Sequence, residues 1–464
     1  MSIISQAIKD CQEAESRLSF FFKQYSIGIL LAKCGALKQK GVSVVSIFRY
    51  LVCLMFADRS MYMQIRTGRF DENFSKNTVY RFLDNAKIHW ERFTTLLSER
   101  IVNGFLRPLT SDERRDVFIF DDSTFRKRGY KKTELVAKVF DHVEMKFIMG
   151  FRMLTLGWSD GSTFIPITHR LMSSAKDENV LGLVKEFDKR SIAFRRRKEA
   201  REKATDVMMK MLKTAQKAGH KAKYVLFDSW FSSPKVVSTI KTECRLDVIA
   251  MVKKSSKINY IFEGKSKNIK QIFDACKKRR GRSRYLLSVN IILESTDKDG
   301  NIVRVPAKIV CVRNRSNRKD WLAMICTDTA LSEEDIIQIY GKRWDIEVFF
   351  KTCKDMLKLE KGCQSLSYDA MTAYVSIVFT RYMLIAVETR TDKDDRTGGE
   401  IFFMLCDEIE DISFNRSIML ILQAVFEVIT GKLCLDAETC EKLMEEIVSH
   451  LPAYMSKRLQ IPCP

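Results

Sequence analysis

Three carboxylates stand at positions where they could do chemistry. Asp122 (or its neighbour Asp121) follows the short apolar run 116–120, and Asp228 follows Tyr224-Val225-Leu226-Phe227. Acidic residues at strand ends of an open sheet lie where sites gather in α/β proteins, although either aspartate alone is equally an ordinary turn former or helix cap. The third carboxylate, Glu347, lies in Tyr340-Gly341-Lys342-Arg343-Trp344-Asp345-Ile346-Glu347 and is followed by Lys354. At about 100° per residue, Tyr340, Arg343, Glu347 and Lys354 point to about 0°, 300°, 340° and 320° around one long helix, a stripe about 60° wide. Lys351, at about 20°, borders it, while Asp345, at about 140°, faces elsewhere. A solvated face more often holds Glu–Lys pairs; a glutamate flanked by cations is suited to hold a metal while the cations hold phosphates. Carboxylates without a His or Cys cluster suit hard cations, Mg²⁺ or Mn²⁺, which take oxygen ligands and keep waters. Two such ions about 3.5–4 Å apart can activate a water or hydroxyl and stabilise a leaving oxygen in phosphodiester chemistry.

The composition fits that substrate. The chain has 464 residues with 46% hydrophobic and 30% charged residues and only 7 Pro and 19 Gly, which excludes collagenous, mucin-like and wholly disordered classes. Its formal net charge of +21 points to a polyanion, nucleic acid before anionic membrane. The 13 cysteines are odd in number and include no C-x-x-C, and the 5 histidines are scattered. Reduced thiols in a cytosol, rather than disulfides or zinc, are therefore expected. The N-terminus lacks a basic n-region and a long apolar h-region, so no secretory signal is expected. The most apolar stretch, 374–387, is interrupted by Arg381. No membrane span and a cytoplasmic location are the expectation.

The elements that must position the carboxylates follow from periodicity. Residues 1–110 read as helical and are assigned to DNA contact. Val44, Ile47, Phe48, Leu51, Val52 and Met55 follow helical spacing after Gly41, and Ser75 is placed to cap a helix over Lys76–Leu83. Short helices with a basic second member read as a helix-turn-helix or as an ordinary bundle with a solvated face. From 111 to 244 the texture is α/β. Strands are expected at 116–120, 147–158, 162–169 and 224–227, the first three as a meander with Ser159-Asp160-Gly161 as a turn. A charged helical stretch runs from 178 to Gly219, and a helix starts at Ser233-Pro234. Residues 245–327 read as β-rich, with strands expected at 248–252, 285–293 and 303–312 and a hairpin at Asp297-Lys298-Asp299-Gly300-Asn301. Residues 328–364 carry the helix with Glu347, capped by Ser332. Residues 365–464 are helical, with Ile418-Met419-Leu420-Ile421-Leu422 suited to a core or to dimerisation. Basic clusters at Arg126-Lys127-Arg128, 195–203 and 277–284 are candidates for backbone contact or for solvated charge.

Tyr340-x2-Arg343-x3-Glu347-x6-Lys354 resembles the Y-R-E-K signature of bacterial cut-and-paste insertion-sequence transposases of the DDE class. Phe120-Asp121-Asp122-Ser123-Thr124 resembles that family's first catalytic aspartate with its two following hydroxyl residues, and Leu226-Phe227-Asp228-Ser229 its second. The resemblance covers about 110 to 360. It implies a ribonuclease-H-like core with a β-rich insertion and helical flanks. Asp122, Asp228 and Glu347 would be the triad holding two Mg²⁺ or Mn²⁺ ions, with Asp122 favoured over Asp121 because it directly precedes the hydroxyl pair. Tyr340, Arg343 and Lys354 would bind DNA phosphates near the cleaved end, joined by Arg126, Lys127 and Arg128. Trp321 resembles the family tryptophan that stacks on a flipped base. The implied activity is cleavage at terminal inverted repeats and joining of the 3′-hydroxyl ends to target DNA, by a homodimer on nucleoid DNA. The alternatives are a DNA-binding protein of the same fold without activity, and a nuclease or resolvase that cuts without joining.

Overall fold

A computed structural model describes residues 17–390 apart from 39, 57–59, 71, 111–113, 128, 142–143, 282, 315–316 and 318–319, with isolated positions between 418 and 450. Arg128 and nearly all of the segment assigned to dimerisation beyond 390 lie outside the described residues. Two compact units emerge. Within the first, among residues 17–27 and 48–72, helix α1 (Arg17–Gln24) sets Phe22 against Phe48, ring centroids 6.0 Å apart. The second unit holds residues 28–47 and 73–390. Helix α2 (Ile27–Lys33) begins at the boundary. Helix α3 (Val44–Cys53) follows the expected apolar spacing. Helix α4 (Met61–Arg66), in the first unit, is capped by Ser60. Helix α5 (Lys76–Leu83) starts after Ser75, whose hydroxyl meets Thr78 Oγ1 at 3.3 Å instead of capping a backbone N–H. Helix α6 (Trp90–Ile101) is mostly buried.

The strands are β1 (Val117–Arg126), β2 (Ala137–Asp141), β3 (Lys146–Ser159), β4 (Phe164–Met172), β5 (Tyr224–Phe227), β6 (Asp247–Met251), β7 (Asn259–Phe262), β8 (Lys265–Asn268), β9 (Leu287–Thr296), β10 (Ile302–Arg313) and β11 (Trp321–Cys326). Strand β3 pairs antiparallel with β1 and β4, while β5 pairs parallel with β1 and with β6. The order β4-β3-β1-β5-β6, three antiparallel strands followed by two parallel to the first, is ribonuclease-H-like. All residues of β4 and β5 are buried, and β5, a continuous apolar run between parallel neighbours, has the pattern of a strand covered on both faces.

Two details depart from the sequence reading. Strand β1 does not end at Phe120. Strand β3 supports it along its whole length, from Val117↔Ser159 to Arg126↔Gly150, whereas β5 supports only 117–119. The aspartates thus sit in a strand that has lost its parallel neighbour on one edge. Strand β6 opens the 245–327 segment but belongs to the parallel core, and the segment is an extension of the sheet. Strand β11 pairs antiparallel with β6, and β10, β9, β7 and β8 continue outward.

Helices α7 (Ile192–Ala200), α8 (Ala204–Lys217), α9 (Pro234–Thr239) and α10 (Ile269–Ala275) come next. Ser233 caps α9 through the Val236 N–H. The basic stretch at 195–203 is not a surface patch throughout. Arg196 sits in the interior, with Nε 2.8 Å from Glu91 Oε1, Nη2 donating to Ile88 O at 2.8 Å, and Nη1 on Asp369. Arg197 donates to Glu134 Oε1 at 2.6 Å and to Asp369 Oδ2 at 2.7 Å. This lattice ties α7 to α6 and to helix α13 (Tyr368–Thr389). Burial alone would raise the Glu91 carboxyl, but the Arg196 guanidinium outweighs it and holds Glu91 well below the usual range. Helix α13 is long and apolar enough by composition to cross a membrane, yet 89% of its apolar window is buried inside the protein. It is a core helix.

The long helix expected around Glu347 is two helices. Helix α11 (Glu333–Gly341) starts with Ser332 Oγ accepting the Asp335 N–H at 3.1 Å, and helix α12 (Trp344–Asp355) follows a tight turn at Lys342 and Arg343. Three-residue hydrogen bonds, Arg343 N to Tyr340 O and Asp345 N to Lys342 O, close that turn. Lys342 Nζ pins it by donating to the carbonyls of Arg114, Arg115 and Asp160. Helix α12 is held on the sheet by Phe349 against Phe164, ring centroids 5.0 Å apart. Gly157 of β3 makes room for this contact: a Cβ there would fall 2.0 Å from Phe164 Cζ.

Candidate active site

In antiparallel pairing, opposed residues share a face. Asp121 opposes Thr155, and Val117 opposes Ser159, so Asp121 is on the face that includes Ser159. Ser159 Oγ donates to Asp345 Oδ2 of α12 at 2.5 Å. Asp121 therefore faces the helix that carries Glu347, and Asp122 takes the alternate direction, shared with Thr124, which Lys354 at the far end of α12 reaches. Asp345 turns away from the stripe, as the helical geometry requires.

The contacts agree. Arg343 forks between two carboxylates, with Nη1 2.9 Å from Asp121 Oδ2 and Nη2 2.5 Å from Glu347 Oε1. Its Cζ lies 6.0 Å from the Tyr340 ring centroid, and the Tyr340 hydroxyl reaches Phe227 O, 3.5 Å away at the end of β5. Burial pushes the Asp121 carboxyl up to about 7. Arg343 opposes the rise, and the charges of Asp122 and Asp228 add to it. Asp228 is likewise raised, first by burial and then by Asp122, against the Trp230 N–H and Arg343. Burial also pushes Tyr340 up to about 12. Four carboxylates, Asp121, Asp122, Asp228 and Glu347, thus face two guanidiniums, Arg343 on Asp121 and Glu347 and Arg152 on Asp122. An all-oxygen, charge-deficient donor set of this kind fits Mg²⁺ or Mn²⁺. Among the described residues, no three His, Cys, Asp or Glu side chains are gathered closely enough to hold an ion in this conformation. Arg343 stands between Asp121 and Glu347, in the place a cation would take.

The other expected site residues divide. Asp122 lies next to the pocket, but its side chain is ion-paired with Arg152, and its N–H donates to Asp121 Oδ1 at 2.8 Å. Lys354 reaches Thr124 Oγ1 at 3.3 Å and Glu360 Oε1 at 2.8 Å, on the same helix as Glu347. Arg126 is engaged by Asp141 at 2.5 Å and by Glu144. Lys127 does not face a substrate. It is buried, and its ammonium donates to the carbonyls of Cys363 at 2.7 Å and Ser365 at 2.8 Å. Strand alternation turns it inward beside the half-buried Arg126. Trp321 is stacked on Phe273, centroids 4.1 Å apart and planes 8° apart, with the Lys254 ammonium 4.4 Å from its centroid. A parallel ring that close leaves no space for an ammonium on the same side, so both faces of the indole are taken. Sequence reasoning passed over Arg152 and Trp230. Both sit beside the aspartates, and Trp230 had a signal in its position two residues after Asp228.

Residues 50–270 match the family model of the DDE superfamily endonuclease, and residues 162–384 match that of the transposase DDE domain. The first range includes Asp121, Asp122 and Asp228; the second includes Asp228 and Glu347. Both models are of the DDE type and support a transposase or endonuclease acting with divalent metal on DNA. No curated protein matches the chain.

Proposed function

We propose that the protein is a transposase that cuts DNA at the inverted-repeat ends of an insertion sequence and joins the freed 3′-hydroxyl ends to target DNA. The observation that carries this reading is the Arg343 fork between Asp121 and Glu347, beside Asp228, at the point where the parallel pairing of β1 and β5 stops. Asp121, Asp228 and Glu347 would hold two Mg²⁺ or Mn²⁺ ions. Asp121 is preferred to Asp122 because it faces α12 and touches Arg343, whereas Asp122 is committed to Arg152. When bound, such ions supply activation of a water or 3′-hydroxyl and stabilisation of the leaving oxygen.

The chain's own residues do the rest. Arg343, released from the carboxylates, presents its planar fork to a DNA phosphate. Tyr340 holds its ring against that guanidinium and orients it. Lys354 sits further along α12 and tracks the next phosphate. The buried walls of β1 and β5 exclude bulk water and strengthen every charge interaction in the pocket. A homodimer acting on nucleoid DNA in the cytoplasm fits the need to hold two element ends together.

The test is cleavage of a labelled duplex carrying the element end, with Mg²⁺ or Mn²⁺. Glu347→Gln and Asp121→Asn are each expected to lower nicking on the order of a thousandfold, since a metal contributes several kcal/mol to such a transition state. Binding is expected to persist. Asp122→Asn is expected to stay within about tenfold of wild type. If Asp122→Asn is the dead variant and Asp121→Asn is active, the first ligand is Asp122. Strand transfer is read separately with pre-cleaved ends and a plasmid target: nicking without joining would make the protein a nuclease.

A further inference from the structure

The second unit holds a cavity of about 390 Å³, walled by α6, α7, α8 and β4. Its place follows from strand register. His169 opposes Thr155, which opposes Asp121, so Thr168 and Arg170 on either side of His169 point to the face that Asp121 does not use. Asp121, Asp122, Asp228 and Glu347 are not among the lining residues. Charge within the cavity is unbalanced. Glu91 is held by Arg196, with Nε 2.8 Å from Oε1 and Nη2 3.0 Å from Oε2, and Glu199 by Arg170, whose Nε lies 2.8 Å from Oε2. Arg92, Arg195 and Lys217 also line the cavity, and none of them has a carboxylate partner among the described residues. Arg195 donates only to the Arg190 carbonyl, at 3.0 Å. These three are exposed, whereas Arg170 is 9% exposed. Its Nη1 donates to Thr168 Oγ1 at 3.2 Å and to His169 O at 2.8 Å, and its Nη2 has no partner among the described residues. Ile192, Arg195, Arg196 and Glu199 recur at helical spacing, so one face of α7 turns part of the basic run at 195–203 into this wall.

We propose that this cavity is a binding site for a small molecule carrying a diphosphate or triphosphate group, separate from the carboxylate pocket. Guanidiniums present planar forks that match phosphate oxygens, and a lysine adds a compact charge. Arg92 comes from α6, Arg195 from α7, Lys217 from α8 and Arg170 from β4, so the cations surround the space instead of forming one surface stripe. Its volume suits a small ligand rather than a single ion. The phosphates of a duplex carry the same chemistry, but they meet groups at a protein's surface, and the free end of Arg170 lies inside. A bound polyphosphate ties α6, α7 and α8 together behind the sheet.

The experiment titrates pyrophosphate into the full chain by calorimetry, in chelator, so that no metal carries the anion to the carboxylates. Wild type is expected to bind one pyrophosphate per chain. Arg92→Ala and Lys217→Ala are each expected to weaken binding about tenfold, the loss of one charge-assisted contact. Lys198→Ala removes an exposed cation of α7 that does not line the cavity, and is expected to match wild type. The three replaced side chains are all exposed, and circular dichroism verifies that each variant folds. A saturating DNA duplex is expected to leave pyrophosphate binding intact. Absence of binding by wild type would overturn the site, and so would equal weakening in all three variants or in none. Displacement of pyrophosphate by the duplex would assign the cavity to the DNA backbone and overturn the small-molecule site.

Discussion

The protein builds the same motif twice, an arginine forked between two carboxylates, and uses it in opposite ways. In the interior, Arg196 and Arg197 share Glu91, Glu134 and Asp369, and backbone carbonyls take further donors. At the pocket, Arg343 alone faces Asp121 and Glu347, with Asp228 and Asp122 adding charge around it. The electrostatic consequences have opposite sign. Glu91 is held well below the usual carboxylate range, and Asp121 is raised to about 7. Two guanidiniums held by three carboxylates and backbone carbonyls in a dry interior are a lock. A half-buried cluster of carboxylates with Arg343 at the point between Asp121 and Glu347 is a socket, in which an arginine stands where a metal ion would fit.

Replacing the arginines tests that contrast most severely. Arg196→Met leaves the buried Glu91 without its guanidinium and Asp369 with Arg197 alone, and is expected to destabilise the fold by about 3–5 kcal/mol. Arg343→Met is expected to lower stability by no more than about 1 kcal/mol, because Asp121 can take up a proton when its partner is gone. Urea unfolding of the two variants measures both. An equal loss in the two would mean that the pocket is as structural as the interior lattice.

The pH dependence of the metal-free protein sharpens it. A folded-state value of about 7 for Asp121 lies above the unfolded one, so the folded chain holds a proton that the unfolded chain has released. Stability in chelator should therefore fall as pH rises from about 4 to about 7, by at most about 4 kcal/mol. Glu91 works in the other direction: its depressed carboxyl contributes stability that is lost as pH falls. Asp121→Asn should make the metal-free protein more stable than wild type at pH 8, and the difference should close near pH 4. Thermal unfolding in chelator across that range reads it. A variant equal to wild type at pH 8 would show that burial there is not opposed to charge.

Much of this was legible in the sequence. The apolar runs placed β3, β4, β5, β9 and β10 within a few residues, Ser332 and Ser233 marked two helix starts, and Tyr340-x2-Arg343-x3-Glu347 found three members of the pocket. What was not legible has physical reasons. The lattice partners of Arg196 and Arg197 are far along the chain, at Glu91, Glu134 and Asp369, so a basic run looked like surface charge. Polar residues Asp121 to Thr124 looked like a turn because a strand edge held by β3 leaves no local signal. That Asp121 meets Arg343 while Asp122 meets Arg152 depends on strand alternation and on packing from distant parts of the chain, which the adjacent pair does not reveal by itself. The break at Lys342 and Arg343 was invisible because both residues favour helix, and the stripe survives it only because the turn remains tight.

The smallest expected effect concerns lysines. Lys127 and Lys354 both carry one positive charge, and both lie within reach of the chain around the first aspartates. Lys127 belongs to the lock: its ammonium is buried against the carbonyls of Cys363 and Ser365. Lys354 belongs to the socket: its side chain is 30% exposed, on the helix of Glu347. Only a cation that displaces counterions from DNA contributes to the salt dependence of binding, at roughly one unit of logarithmic slope for each phosphate contact. Lys354→Ala should lower the slope of binding against salt by about one, and Lys127→Met should leave it unchanged while reducing stability. Titrations at several salt concentrations, with each variant's folding checked by circular dichroism, decide the matter. A lower slope in Lys127→Met would mean that this lysine leaves its carbonyls to meet the DNA, and the division between committed and exchangeable cations would have to be drawn elsewhere.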